Sequence, residues 1–327
     1  MVIDFEHHYT PYEIWKGRGG KPGEIVRVFA PDGKEIRPLY DADHDIPLHL
    51  EYMDMAGIDM AVLAKCMDSV EDVKIYNDDC AEVVKEHPKR FIGFASVIPT
   101  QGKPALEELE RAIKGLGLQG VVIRAQIEGR PLDSRELWPF YEKVSLLNIP
   151  LFVHVSLAAD GFDACDAPYD LNRTIVREFD LATATARLCL GGVLEEFPDL
   201  KLIVAHFGGG ISSIKERLDR YIRYNEASFW HGKPLISEPY GDRFDEHFNK
   251  LYFNMAGREI GVCAIKCALT NISPKRLLFA TDYPPNFIAD PEGMKNYIKA
   301  IRELDLDQES IEAMLSTNGI ELLGLKV

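Results

Sequence analysis

The sequence has no apolar stretch long enough to cross a bilayer. Its N-terminus also lacks the basic segment, apolar core and cleavage site of a secretory leader. Membrane insertion and export are therefore not expected, and a cytoplasmic protein is. The six cysteines (Cys66, Cys80, Cys165, Cys189, Cys263, Cys267) form no Cys-x-x-Cys pair, which argues against a zinc ribbon or a redox couple. Cys263 and Cys267, four apart on an expected helix, read as ordinary buried thiols. Positive charge is scarce: 37 Lys and Arg face 52 Asp and Glu, for a net charge of -15. A nucleic-acid partner, which needs a basic face, is excluded on that balance, and an anionic substrate must find its own local Arg or Lys. Linkers, internal repeats and low-complexity tracts are also missing. The 327 residues, 46% hydrophobic and 27% charged, thus read as a single domain over 1–327 with a large core.

What is present is a regular alternation. Short runs rich in Val, Ile, Leu and Phe occur at Val2 to Phe5, Met60 to Ala64, Phe91 to Val97, Gly120 to Ile123, Pro150 to Val153, Lys201 to Ala205, Leu251 to Met255 and Leu277 to Ala280. Most lack polar alternation, as strands covered on both faces do. Amphipathic stretches lie between them: Val70 to Glu86, Pro104 to Gly115, Arg135 to Leu147 and Ile211 to Tyr224. Eight strands alternating with helices predict an α/β fold, a (β/α)8 TIM barrel. A doubly wound open sheet is the competitor, but Gly208-Gly209-Gly210 fits neither the dinucleotide nor the phosphate-loop spacing and reads as a tight turn into a helix. Helix Pro291 to Leu304 and short helices near Ile311 to Ser316 and Gly319 to Leu323 follow as C-terminal additions. Tyr9 to His44, Ser156 to Asn172 and Asn225 to Lys250 are too long for plain connections and predict lids over the barrel mouth, the first and third over the site.

Four strand ends carry ligand-type side chains: Glu6 and His8, then His154, then His206, then Asp282. On a strand, residues two apart share a face, so Glu6 and His8 aim at one point while His7 turns away. Each signal alone has an ordinary explanation, a structural histidine or a turn-forming Asp. All four at the same end of alternate units require convergence at one mouth.

Ile3-Asp4-Phe5-Glu6-His7-His8, Phe152-Val153-His154-Val155, Val204-Ala205-His206-Phe207-Gly208-Gly209 and Phe279-Ala280-Thr281-Asp282-Tyr283-Pro284, in this order and spacing, resemble the amidohydrolase superfamily. The likeness is to its amidohydrolase 2 branch, which includes aminocarboxymuconate-semialdehyde, γ-resorcylate and 5-carboxyvanillate decarboxylases. The resemblance implies one divalent metal ion, Mn2+ or Zn2+, on Glu6, His8, His154 and Asp282, with His206 beside it as an acid/base group or as a partner that supports the ligands. Many members open with His-x-His; Glu6 adds a harder oxygen donor and negative charge, which favours manganese.

Such an ion can act as a Lewis acid on a chelating substrate or activate a water. The expected function is therefore metal-dependent, non-oxidative decarboxylation of an aromatic (hydroxybenzoate-like) or unsaturated carboxylic acid, a carbon–carbon lyase. The alternative is a hydrolase or hydratase acting on a lactone, amide or unsaturated diacid. Glu6 in place of His tilts the expectation to decarboxylation. Asp282 is the expected proton donor to carbon, with His206 as its catalytic companion. For substrate binding, Arg124 at a strand end meets either an anionic group or a loop acid, and Asn254, Tyr283 and Phe287 are placed by position alone. Arg18, Arg27 and Arg173 on the long loops read first as solvated surface charges, with anion contact as the alternative. Aromatic residues in the long loops, above all within Asn225 to Tyr240, predict a homo-oligomer.

Overall fold

The computed structural model describes residues 1–29, 33, 35–156, 169, 171–223, 241–256 and 261–326. Eight parallel strands follow one another around a barrel: β1 (Ile3–His7), β2 (Met60–Leu63), β3 (Phe91–Ser96), β4 (Gly120–Arg124), β5 (Pro150–His154), β6 (Lys201–Val204), β7 (Tyr252–Asn254) and β8 (Leu277–Leu278). Nearly every residue of these strands is buried, which accounts for their unbroken apolar runs. The ring closes between its first and last strands. Phe5 N donates to Phe279 O (2.8 Å), Asp282 N to Glu6 O (2.8 Å) and His8 N to Tyr283 O (2.7 Å). β8 is shorter than its apolar run because Phe279 N instead donates to Met314 O (2.8 Å) in the C-terminal helices.

The helix Val70–Glu86 starts where Ser69 caps it, the hydroxyl accepting from Asp72 N at 3.0 Å. Helices Lys103–Glu110, Trp138–Leu147, Lys215–Arg223 and Pro291–Arg302 lie within or near the expected stretches. Gly319, on the final helix Asn318–Leu323, packs so closely on Phe5 that an added Cβ would sit 2.2 Å from the ring. That contact ties the last helix to β1.

Two further helices, Ile46–Ala56 and Arg177–Leu190, escape periodicity because their inward faces are partly polar. The first buries His49 with Met53 and Ala56, the second Asp180 and Thr185 with Leu181 and Leu188. The long Tyr9 to His44 segment folds as a short helix Tyr12–Gly17 and a hairpin of Val26–Phe29 and Glu35–Leu39. The end of the Asn225 to Lys250 segment is not a lid but a helix, Gly241–Phe248, anchored on the barrel's outer layer by His247 Nδ1 donating to Cys189 O (2.9 Å). Most of the second expected lid and the aromatic stretch from Asn225 to Tyr240 lie outside the described residues. None of the described helices is long and apolar enough to cross a membrane.

The expectation that Cys263 and Cys267 are buried is corrected. Both are exposed, because helix Gly261–Ala268 turns Ile265 and Ala268 inward and leaves its opposite side to solvent. Alkylation of the native protein at pH 8 is expected to modify Cys263 and Cys267 and spare Cys80 and Cys189, whose thiols burial raises. Peptide mass mapping reads this out.

Candidate active site

Glu6 and His8 leave β1 on the same face, and His7 on the other, as alternation requires. Glu6 is fully buried. His154 ends β5, and Asp282 follows β8 in a left-handed backbone conformation, φ 53°. One donor atom from each of Glu6, His8, His154 and Asp282 lies within 4.8 Å of all the others. His8 Nε2 stands 2.8 Å from Asp282 Oδ1, and His154 Nε2 stands 2.9 Å from Glu6 Oε1.

The two imidazoles are oriented from behind. His8 Nδ1 lies 2.8 Å from Ala64 O and His154 Nδ1 lies 3.2 Å from Val155 O. A carbonyl only accepts, so each Nδ1 carries a hydrogen and each Nε2 is turned to a carboxylate oxygen. Glu6 Oε1 is buried with no hydrogen-bond donor among the described residues. At these distances either a proton on Nε2 or a metal ion bound to both atoms bridges each pair. Two carboxylates and two imidazoles therefore fit one divalent ion, balance its charge and leave coordination positions open.

His206 lies beside this group, its Nε2 3.8 Å from Glu6 Oε2. Its Nδ1 donates to Glu178 Oε1 at 2.8 Å, and its backbone N donates to Asn254 Oδ1 at 2.9 Å. Burial alone would lower His206, but the Glu178 carboxylate overrides it and lifts the imidazole to about 9. For Asp282 burial acts upward; the hydrogen bond from His8 and the charges of His8, His206 and Arg177 outweigh it and hold the carboxyl down to about 2.

A cleft opens from His8, His154, His206 and Asp282, and five cations line it: Arg37, Lys65, Arg124, Arg173 and Arg177. This is a sharp local reversal in a chain of net charge -15. Asp68 joins two of the five, pairing with Arg37 Nε at 3.0 Å and Arg124 Nη2 at 2.5 Å. Lys65 pairs with Asp43 at 2.9 Å.

The sequence candidates thus separate. Arg124 both lines the cleft and meets a loop acid. Arg173 reaches the cleft and pairs with Glu35, whereas Arg18 pairs with Asp72 (2.7 Å) and Arg27 with Glu35 (2.7 Å) outside it. Asn254 does not face the cleft; its Nδ2 donates to Glu6 Oε2 at 2.7 Å, so it braces a ligand. Tyr283 and Phe287 are fully buried away from it. Tyr283 stacks on His7 with centroids 5.0 Å apart and Phe287 packs near Tyr297, because the turn after Asp282 folds back onto the core. Arg37, Lys65, Arg177 and Glu178 were missed. Lys65 sits just past β2 and could have been found by the strand-end signal that exposed Arg124; Arg177 and Glu178 lie on a helix, where no such signal exists.

Known proteins resemble this chain in sequence and in fold. The chain is 26% identical over 311 residues to the 2-amino-3-carboxymuconate-6-semialdehyde decarboxylase of Dictyostelium discoideum, covering 90% of this chain and 80% of that one. It is 27% identical over 301 residues to a gamma-resorcylate decarboxylase of Polaromonas sp., covering 86% and 87%. The crystal structure of 5-carboxyvanillate decarboxylase from Novosphingobium aromaticivorans, complexed with manganese and 4-hydroxy-3-methoxy-5-nitrobenzoic acid, shares the fold. Its TM-score is 0.78 at 19% identity, over 99% of this chain and 96% of that one. The amidohydrolase family (Amidohydro_2) matches residues 3–325, and this chain belongs to it.

Proposed function

We propose that the chain is a metal-dependent, non-oxidative decarboxylase of an aromatic, hydroxybenzoate-like or unsaturated carboxylic acid. The supporting observation is the ligand group of two carboxylates and two imidazoles opening into a cation-lined cleft. Glu6, His8, His154 and Asp282 would hold Mn2+ or Zn2+, which when bound supplies a Lewis acid for the oxygens of a chelating acid. Arg124 and Arg37, fixed by Asp68, attract the anion and orient it through their donors. The reaction balances as one proton added to the carbon that loses carbon dioxide, with no oxidant. The Glu178 carboxylate favours a proton on His206, while His8, His206 and Arg177 favour the ionised form of Asp282. Asp282 can deliver a proton to carbon only after receiving one, and His206 is the neighbour that carries it.

The test is incubation of Mn- or Zn-loaded protein with ortho-hydroxybenzoates, muconate-type acids and cyclic esters. Carbon dioxide release with loss of the acid's absorbance is expected. Product acid formed without carbon dioxide would instead make the chain a hydrolase or hydratase. Arg124→Ala is expected to raise KM about tenfold or more for acidic substrates, the loss of one charged hydrogen bond. An unchanged KM across the panel removes Arg124 from substrate binding.

A further inference from the structure

We propose that Glu178 is the positioning residue of His206, and that Gly209 is what lets its helix approach closely enough to serve. The inference rests on the reading of His206 as an acid/base group.

His206 Nε2 is buried with no hydrogen-bond partner among the described residues, so nothing on that side of the ring selects its orientation. The Nδ1 contact to Glu178 Oε1 at 2.8 Å does. A ring flip would exchange Nδ1 for a carbon, lose this bond and turn Nε2 away from Glu6. Glu178 is itself held from the other side, since Arg177 Nε donates to the same Oε1 at 3.0 Å, and Arg177 lines the cleft. One carboxylate oxygen therefore fixes both an imidazole and a cleft cation.

The backbone is built to permit this. His206, Phe207, Gly208, Gly209 and Gly210 all have positive φ, at 50°, 55°, 66°, 65° and 73°, a left-handed turn that side chains rarely adopt. At Gly209 a Cβ would fall 1.8 Å from Glu178 O and 2.8 Å from Ala182 N. The turn thus lies directly against the backbone of the Arg177–Leu190 helix at the residue that reaches back to His206. A bulkier turn would push Glu178 out of hydrogen-bond range. The Gly208-Gly209-Gly210 run is in this sense part of the site, although its spacing is not that of a phosphate loop.

The test compares wild type, Glu178→Ala and Glu178→Gln. In Glu178→Ala, kcat is expected to fall about 10- to 100-fold with metal content and KM little changed. Glu178→Gln, which keeps an acceptor of the same shape, is expected to recover part of the loss, and added formate is expected to partly rescue the alanine variant. Independently of turnover, 15N-histidine-labelled protein should show a downfield, exchange-protected Nδ1–H signal, assigned by its absence in His206→Gln, that vanishes in Glu178→Ala. A wild-type kcat in Glu178→Ala, or an unaltered Nδ1–H signal, overturns the proposal. If wild type releases no carbon dioxide from any acid, the decarboxylase reading falls, and the Nδ1–H comparison still decides the role of Glu178.

Discussion

Asp282→Asn is expected to lose the metal ion and the activity together, with kcat down roughly 10²- to 10⁴-fold. Asparagine keeps the shape of the side chain and tolerates the left-handed backbone at φ 53°, so the fold should survive and circular dichroism should not change. What is lost is charge. Two carboxylates cancel a divalent cation; one leaves a net positive charge in a site where Glu6 is fully buried and Asp282 nearly so. The amide also turns either a weaker oxygen or a non-ligating nitrogen towards His8 Nε2, which now faces Oδ1 at 2.8 Å. Elemental analysis of the purified variant, beside turnover, checks this. A full equivalent of metal with wild-type turnover would refute both the ligand and the proton-handling roles of Asp282.

The second large effect is expected at Asp4, which touches no substrate. Its carboxylate accepts from four donors: Glu6 N at 3.1 Å, Thr281 N at 2.9 Å, the Thr281 hydroxyl and His7 Nδ1 at 2.9 Å. All lie in the core, and the network continues from His7 Nε2 to His49 Nδ1 (3.1 Å) and from His49 Nε2 to Ala42 O (2.6 Å). These bonds join the end of β1 to the turn after β8, the two segments that carry Glu6, His8 and Asp282. Each orphaned buried donor costs about 1–3 kcal/mol, so Asp4→Ala should destabilise the metal-free protein by about 4 kcal/mol or more. Metal affinity should weaken about 10- to 100-fold, as for other partners that brace ligands. Asp4→Asn, which keeps the volume and part of the acceptor capacity, should fall between. Denaturant unfolding and metal titration measure the two effects; an alanine variant matching wild type in both would show that Asp4 braces nothing.

The barrel was legible because strands buried on both faces have unbroken apolar runs, and because parallel strands place their last residues at one mouth. Glu6, His8, His154 and Asp282 each sit at such an end, so the rule that found the fold also found the group that could hold an ion. The rule has a fixed reach. It placed Asn254 near the site but could not show that its amide turns to Glu6 and its oxygen to the His206 backbone. It gave Tyr283 and Phe287 a place by adjacency to Asp282, whereas the chain folds inward there and buries both. Glu178 and Arg177 enter from a helix, where inward and outward positions are set by packing on the sheet. Arg37 comes from a hairpin whose path periodicity does not predict. Residues aimed by strands were readable, and those aimed by tertiary packing were not.

The seam between β1 and the turn after β8 has a consequence for biosynthesis. Asp4 and Thr281 are 277 residues apart, and three of the four ligand residues lie on the two sides of that junction. A growing chain presents Glu6 and His8 early and His154 with β5, but Asp282 joins them only when the eighth strand closes the ring. On the proposed ligand set, coordination by all four residues awaits that closure. Once bound, the ion favours the closed ring over any state in which its ends have parted, by mass action. Metal bound at the proposed set would therefore report barrels whose ring has closed.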